Sequence, residues 1–171
     1  MSKLIGTDHP GIQAALNSEK SFEVIKKAET FIRLPKKEEI GKIIDTYVEK
    51  DGTIVKKSSA TIKETSVIAR NPVPLSDGTF NEWPMDIATF IENYGQVDLS
   101  TDFQPFKKQI TNKVVEIDEE ILKILDSKDG KSAMLAVSWD SNGMLVHKGD
   151  FLFDAGYAVD KREFNNTYEK V

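Results

Sequence analysis

The sequence predicts an α+β fold of two related small antiparallel-sheet halves, each with a short Asp-capped helix. One segment occurs twice without a gap, at 83–97 and 157–171. Short β-rich segments bounded by turn residues precede each copy, which is typical of small antiparallel sheets. A hydrophobic content of 39% with 30% charged residues suits one core or two small cores packed together.

We divide the chain into a peripheral N-terminal segment (1–20), a first half (21–98) and a second half (99–171). The N-terminal segment contains the structure-breaking run 8–11, followed by residues that can form one or two helical turns. The polar run 98–102 marks the boundary between the two halves.

The elements of the first half are predicted with two alternatives left open. The segment 22–34 has apolar residues at helical spacing but ends in a strand-like run, and 40–48 fits either type. The segment 66–70 predicts a strand because it is short, apolar and bounded by polar residues. Two prolines and an Asp-Gly pair predict a loop at 71–78, since proline cannot donate a backbone hydrogen bond.

The second half contains one predicted helix and several short strands before the repeated segment. Asp118 is expected to cap the helix, because an Asp carboxylate at that position accepts N–H groups of the first turn. Asn142-Gly143 predicts a tight hairpin turn. The predicted strands are 114–117, 133–139, 144–147 and 151–153.

The repeated segment places an Asp, a Phe and a Tyr at the same spacing in both copies. The matched positions are Asp86 and Asp160, Phe90 and Phe164, and Tyr94 and Tyr168. The two Asp residues are expected to cap helices, and the rings four residues later share one helix face that packs on the sheet. A weaker similarity between 51–57 and 142–148 lies at a different distance from the motif and carries little weight.

The second copy also contains a Gly-Asp-aromatic turn that leads into a strand. It includes Gly149-Asp150-Phe151 after Lys148, and then Tyr157, Phe164 and Tyr168. In these residues, about the last third of the chain, it resembles the PGDYG family of small bacterial and phage proteins. Here Lys148 replaces the proline of that family and Phe151 its tyrosine, and the first copy has Thr65-Ser66 where Gly-Asp would fall. The resemblance implies a compact β-rich fold and a bacterial or phage origin, and it assigns no catalytic residue.

Charge and composition argue against several classes of partner. The net charge is −5, and Lys36-Lys37 is followed at once by Glu38-Glu39, so no basic patch for nucleic acid is predicted. No apolar run reaches the roughly 20 residues of a membrane helix. The absence of cysteine and of a signal sequence favours the cytoplasm. No metal-ligand spacing, phosphate loop or nucleophile motif occurs, so neither a metal nor a cofactor is predicted.

Six residues are candidates for ligand binding. They are Arg70, Asn71, Trp83, His147, Asp150 and Tyr157. The arginine lies at the base of the loop and can hold an anion by a bidentate contact. The histidine and aspartate can act as a general-base pair, although an exposed histidine near a turn usually has no catalytic role. The aromatic residues can stack on a flat ligand, although such residues more often belong to a core.

Two packed halves are expected to leave a cleft between them, which leads to three functional hypotheses. The first is a non-enzymatic binding module for a small molecule or a protein. The second is a bacterial or phage interaction factor that inhibits a host or defence target. A hydrolase ranks third because no catalytic constellation is recognisable. The partner is unidentified in each case, and a homodimer is compatible with all three.

Overall fold

A computed structural model describes residues 4–171 of the chain. These residues form four helices and thirteen strands, with 18% of residues helical and 41% in strands, arranged in several small antiparallel sheets. The predicted α+β class is therefore confirmed. Over the same residues, every helix is too short or too polar to cross a membrane.

The elements follow one another closely along the chain. The helices are α1 (Pro10–Leu16), α2 (Ile87–Tyr94), α3 (Glu119–Ile124) and α4 (Lys161–Thr167), and one 3-10 turn lies at Lys37–Glu39. The strands are β1 (Phe22–Lys26), β2 (Thr30–Arg33), β3 (Ile43–Lys50), β4 (Thr53–Thr61), β5 (Ser66–Arg70), β6 (Glu82–Asp86), β7 (Gln104–Phe106), β8 (Thr111–Glu116), β9 (Ser132–Val137), β10 (Asp140–His147), β11 (Phe151–Phe153), β12 (Tyr157–Val159) and β13 (Tyr168–Lys170). Both segments with open alternatives are therefore strands.

The chain divides into two compact units, which we call unit 1 and unit 2. Unit 1 contains 1–24 and 111–171, and unit 2 contains 25–110, so the boundaries differ from the predicted 20/21 and 98/99. The N-terminal segment is also not peripheral, because α1 packs in the core of unit 1. Its Ile12 and Leu16, four residues apart on one helix face, are 0% and 2% exposed.

The two units repeat one order of elements. Unit 2 contains β2, the 3-10 turn, the β3–β4 hairpin, β5, β6, α2 and β7, and unit 1 contains β8, α3, the β9–β10 hairpin, β11, β12, α4 and β13. The sheet orders are β6-β5-β2-β7 in unit 2 and β12-β11-β8-β1-β13 in unit 1. The two predicted halves are thus related in topology, and β1 is the strand that the five-stranded sheet adds.

Strand register around the repeated segment is the same in both units. The equivalent cross-strand pairs are Trp83–Ala69 and Tyr157–Phe153 for the outer strand, and Ala69–Ile32 and Phe153–Val114 for the inner strand. A shift of one residue would turn every side chain to the opposite face. The shared register therefore lets each position in one unit be compared with one position in the other.

The turn before β5 and the turn before β11 are closed by the same two hydrogen bonds. Ser66 N–H donates to the Lys63 carbonyl (3.0 Å), and Lys63 N–H donates to Ser66 Oγ (2.9 Å). In unit 1, Asp150 N–H donates to the His147 carbonyl (3.0 Å), and His147 N–H donates to Asp150 Oδ2 (2.9 Å). Ser66 thus performs in the first copy the backbone-capping role of Asp150 in the second.

The aromatic pairs of the repeated segment are buried and stacked in both units. Phe90 and Tyr94 have ring centroids 5.6 Å apart at 20°, and Phe164 and Tyr168 have theirs 5.6 Å apart at 10°. All four rings are at most 8% exposed, which confirms that they belong to cores. The helices end differently, because α2 includes Tyr94 whereas α4 stops at Thr167 and Tyr168 begins β13.

The predicted capping hydrogen bonds are present at α3 and α4 and absent at α2. Asp118 accepts a hydrogen bond from Ile121 N–H (3.0 Å), and Asp160 accepts one from Glu163 N–H (3.1 Å). Asp86 occupies the cap position with the same extended backbone, but its carboxylate makes no capping bond. Asp86 is exposed whereas Asp160 is buried, so water can solvate the Asp86 carboxylate and the free N–H groups nearby.

The sheet of unit 1 is buried on both faces. Val114, Phe151 and Phe153 belong to one apolar cluster with α4, whereas Val115 and Leu152 belong to another with α1 and α3. Alternate residues of a strand point to opposite faces, so neighbouring residues enter different clusters. Unit 1 therefore has two apolar layers, one on each side of the sheet.

We expect substitution by alanine to lower the free energy of unfolding more at Asp160 than at Asp86. Asp160→Ala removes a buried capping bond and should lower the free energy of unfolding by about 1 kcal/mol. Asp86→Ala removes an exposed carboxylate without a capping bond and should change it by less than about 0.5 kcal/mol. Urea denaturation followed by circular dichroism measures both, and equal losses would contradict the assigned difference.

Candidate functional site

One face of the unit 2 sheet carries arginines where unit 1 is apolar. In unit 1, Val115 and Leu152 lie opposite each other and are buried. The equivalent pair in unit 2 is Arg33 and Ile68. Arg70 follows Ile68 by two residues in β5 and therefore points to the same face. A face that is apolar core in one unit thus carries two guanidinium groups in the other.

This face is also less covered in unit 2. In unit 1, α3 buries Ile121 and Leu122 in the apolar layer. The equivalent segment of unit 2 is the 3-10 turn, which has no buried residue. The space that remains is a cavity of about 350 Å³, which we call the arginine pocket. Its lining includes Arg33, Glu39, Lys42, Ile43, Asp45, Phe80 and Glu82.

Arg33 holds the wall of the arginine pocket through three hydrogen bonds. Its guanidinium donates to both Glu39 oxygens (2.6 and 2.8 Å) and to the Leu34 carbonyl (3.2 Å). Glu39 also accepts a bond from Lys36 N–H (2.7 Å), which closes the 3-10 turn. The hydrogen bonds from Arg33 lower the pKa of Glu39 to about 2, and the same contact raises the pKa of Arg33. This ion pair therefore fastens the turn to β2.

Arg70 is held by aromatic rings and retains its hydrogen-bonding capacity. Its guanidinium carbon lies 4.2 Å from the centroid of Phe80 and 5.6 Å from that of Phe103, within the range of cation–π attraction. Glu82 lies 3.8 Å from Arg70 Nε, which is too long for a hydrogen bond. Nε is buried and has no hydrogen-bond partner among the residues that the structure describes. A buried charged donor without a partner is costly and calls for an explanation.

Asn71, predicted as a ligand-binding residue, has a structural role instead. It is 4% exposed, and its side-chain oxygen accepts a bond from Val73 N–H (2.9 Å). Its own N–H donates to the Asn81 carbonyl (2.9 Å). These hydrogen bonds form an Asx turn, so Asn71 fixes the backbone at the start of the predicted loop.

The loop that begins at Asn71 is fixed to the β3–β4 hairpin. Asn81 donates to the Tyr47 carbonyl (2.7 Å) and accepts from Tyr47 N–H (2.8 Å). Ser76 N–H donates to Glu49 (2.9 Å). These bonds hold the hairpin beside β6, so the loop helps to form the wall that carries Phe80.

His147 and Asp150, the predicted acid–base pair, are not arranged for that chemistry. The Asp150 side chain is 2% exposed and accepts bonds from the N–H groups of His147 (2.9 Å) and Lys161 (3.1 Å). The imidazole Nδ1 lies 3.7 Å from the carboxylate, beyond hydrogen-bond distance. Asp150 therefore ties the turn before β11 to the start of α4 and is a structural residue.

Trp83 and Tyr157, the predicted stacking residues, both pack against cores. Trp83 is half-buried on the apolar cluster of unit 2, with Lys26 Nζ 5.7 Å from its ring centroid. Tyr157 stacks on Phe153 with centroids 5.1 Å apart at 19°. None of the six predicted ligand-binding residues is among the described residues that line the arginine pocket, but Arg70 adjoins that lining through Phe80 and Glu82.

Sequence reasoning missed most residues of this site. Phe80 and Phe103 lie in irregular segments, and no local spacing connects them to Arg70. Only the strand register aligns Arg33 with Val115, because segments of different length separate these strands from the repeated segment in the two units. The signal is therefore a charged residue at a position that is core in the other copy.

The comparisons with known proteins leave the assignment to the geometry. No protein-family model matches the chain, and no curated protein or solved structure matches it. Within residues 4–171, no three His, Asp or Glu side chains gather closely enough to hold a metal ion.

The equivalent turn residues predict unequal losses of stability. Asp150→Ala removes a buried carboxylate that accepts two N–H bonds and should lower the free energy of unfolding by about 3 kcal/mol. Ser66→Ala, the matched change in unit 2, removes one neutral bond and should cost about 1 kcal/mol. Chemical denaturation monitored by tryptophan fluorescence gives both values. A loss at Asp150 no larger than that at Ser66 would refute the bracing role.

The Arg33–Glu39 pair predicts an acid-dependent loss of stability. Because the pKa of Glu39 falls from 4.5 to about 2 on folding, the pair stabilises the fold above pH 4.5. That stabilisation is lost as the pH falls from 4.5 to about 2, because the Glu39 carboxylate is then protonated. Glu39→Gln should cost about 1 kcal/mol at neutral pH and flatten the profile between pH 4.5 and 2.

Urea midpoints measured across this pH range, with Glu38→Gln as the control, test the effect. Glu38 is exposed and adjacent in sequence, so its substitution should leave the slope of the profile unchanged. Parallel profiles for the Glu39→Gln variant and the unmodified chain would show that the pair contributes nothing to acid sensitivity.

Proposed function

We propose that this chain is a non-enzymatic binding module and that the arginine pocket binds a carboxylate. The observation that carries the proposal is Arg70 beside the pocket, because its guanidinium stacks on the lining residue Phe80 and its side chain is 37% exposed. A guanidinium on an aromatic face keeps its N–H donors in its own plane, where two carboxylate oxygens can accept them.

The charges around the pocket favour a carboxylate over a phosphate. Arg33 is neutralised by Glu39, and the remaining charges at the pocket are the cations Arg70 and Lys42 and the carboxylates Asp45 and Glu82, so the pocket has no excess of positive charge to hold a dianion. Glu82 lies 3.8 Å from Arg70 Nε and repels a dianion about twice as strongly as a monoanion. A singly charged, planar ligand therefore suits the pocket best.

A binding role is preferred to hydrolysis because of how the polar residues are used. His147 and Asp150 belong to a hydrogen-bonded turn, and Arg33 and Glu39 fix the pocket wall. Arg70 has donors to offer, and a donor fork recognises an anion without transferring a proton, since arginine stays charged at accessible pH.

The resemblance of the second copy to the PGDYG family stays a proposal, together with a bacterial or phage origin and a cytoplasmic location. The feature that supports the resemblance is the turn at Gly149 and Asp150. Gly149 has φ +91°, which favours glycine, and the Asp150 carboxylate then closes the turn. A cysteine-free chain is compatible with a reducing compartment.

Substitution of Arg70 tests the proposed ligand class. We expect N-acetylglutamate α-methylamide, which carries a single carboxylate, to shift the Nε–H resonance of Arg70 when it is added to the ¹⁵N-labelled chain. Arg70→Gln should weaken binding by at least about tenfold, and Arg70→Lys should restore little because lysine lacks the planar fork.

Arg162→Gln is the matched control, since it removes an arginine from unit 1, outside the pocket. N-acetylglutamine α-methylamide, which has the same shape without the charge, should bind weakly. Equal binding of the two compounds, or binding that survives in Arg70→Gln, would rule out a carboxylate site at Arg70.

A further inference from the structure

We propose that a groove beside α2 binds a basic segment of a partner protein, which inserts one large apolar side chain between α2 and residues 96–99. The groove lies on the α2 face of the unit 2 sheet, and Arg33 and the arginine pocket lie on the other face. Among the described residues, the linings of the groove and the pocket have no member in common. The inference therefore stands independently of the carboxylate site.

The groove is a small cavity with an apolar floor. Its volume is about 180 Å³, and it lies between α2 and the segment 96–99. Leu34 and Phe90 contribute to its lining, and both pack in the apolar cluster of unit 2. An apolar cavity of about 150 Å³ holds a benzene ring, so this groove has room for about one aromatic or large aliphatic side chain.

The segment 96–99, which forms the far wall of the groove, is attached at both ends. Gly95, with φ +90°, ends α2, and its N–H donates to the Ile91 carbonyl (2.9 Å). After the segment, the Ser100 carbonyl accepts a bond from Leu34 N–H (2.7 Å) at the end of β2. The groove is thus formed in the free chain, and a partner need not order it on binding.

The rim of the groove exposes three aliphatic side chains. Ile87, Ile91 and Val97 line it and are between 40% and 46% exposed. At the positions of Ile87 and Ile91, the repeated segment in unit 1 has Lys161 and Asn165, which are also exposed. The fold therefore does not require isoleucine at these positions, and lysine is at least as favourable in a helix. Contiguous apolar surface without a structural reason is typical of an interaction site.

The charge around the groove selects a basic occupant. Residues 71–106 contain six acidic residues and no Lys, Arg or His. Asp98 lines the groove, whereas Asp86 and Glu92 adjoin Ile87 and Ile91 in sequence, and all three carboxylates are exposed. Within the described chain, the lining contains one carboxylate and no cation. Lys or Arg side chains beside the apolar anchor of a partner therefore meet a complementary charge.

The same charge argues against nucleic acid and membrane surfaces. The phosphates of nucleic acid and of anionic lipids are attracted by basic residues and are repelled by these carboxylates. Lys36 and Lys37, which follow Leu34 closely in sequence, are adjacent to Glu38 and Glu39, so this run adds no net charge. A protein segment supplies both the basic side chains and an apolar anchor, and a buried anchor provides most of the affinity of such a contact.

Selection from a displayed library of random peptides tests the class of partner. The full chain is the target, and a double variant, Ile87→Lys with Ile91→Asn, is the counter-target because it carries the residues of unit 1. We expect the enriched peptides to share one Phe, Leu or Trp flanked by Lys or Arg. Enriched peptides without an excess of basic residues, or no enrichment over the double variant, would overturn the proposal.

An enriched peptide should lose affinity when the rim of the groove is changed. Val97→Ser should weaken binding by about threefold or more, because the peptide then buries less apolar surface. Val171→Ser is the matched control, since Val171 is exposed at the same position of the repeat in unit 1. Asp98→Asn should weaken binding mainly at low salt, because salt screens exposed charges. Equal effects of Val97→Ser and Val171→Ser would contradict the assigned site.

The location of the bound peptide is measured by ¹⁵N NMR of the full chain, which also shows whether each variant is folded. The peptide should shift the amides of Ile87, Ile91 and Val97 and leave the Nε–H resonance of Arg70 in place. Shifts at Arg70 without shifts in α2 would place the peptide elsewhere and refute the inference. Broadening of the α2 amides with rising protein concentration, in the absence of peptide, would also refute it, because a second copy would then occupy the groove.

Discussion

The register between β2 and β5 is the constraint on which the candidate site depends. It places Ile32 opposite Ala69 and Arg33 opposite Ile68. Ile32 and Ala69 then join the apolar cluster with α2, whereas Arg33 faces the opposite side, which Arg70 shares. Since alternate residues face opposite sides, the same bonds that bury one row of side chains present the other row to the hairpin. The core and the pocket of unit 2 are therefore two consequences of one strand pairing.

Comparison with unit 1 shows what the pairing of β2 with β5 changes in unit 2. In unit 1, Val115 and Leu152 occupy the positions of Arg33 and Ile68, and helices cover them. Replacing an apolar core position by arginine loses hydrophobic stabilisation and requires new partners for five N–H donors. Arg33 makes three such bonds, two to Glu39 and one to the Leu34 carbonyl, at 2.6 to 3.2 Å. Unit 2 thus keeps the fold with an ion pair where unit 1 uses an apolar layer.

The sequence predicted the features that depend on local spacing. The fold class, the strand at 66–70 and the stacked rings follow from short-range periodicity, and the structure has them. The Asp86 side chain makes no capping bond although it occupies the cap position, because spacing predicts the position of a residue and not its side-chain rotamer. The weak similarity of 51–57 to 142–148 does not mark equivalent turns, because Asp51-Gly52 forms the turn between β3 and β4 whereas Asn142-Gly143, predicted as a hairpin turn, lies within β10 and the turn of that hairpin is at 138–139. The pocket escaped prediction because Phe80 and Phe103 approach Arg70 only after β2, β5 and β6 have paired.

Stability and binding make opposite demands on Arg70. A stable fold would give its buried Nε a hydrogen-bond partner, as Arg33 receives one from Glu39, because an unpaired buried donor costs about 1–3 kcal/mol. Glu82 is close enough to lower the electrostatic cost but too far away to accept a bond at 3.8 Å. Stacking on Phe80 holds the guanidinium without using its N–H groups. A guanidinium positioned by stacking suits the proposed anion site, since the exposed part of the Arg70 side chain can bond a ligand without first displacing another acceptor.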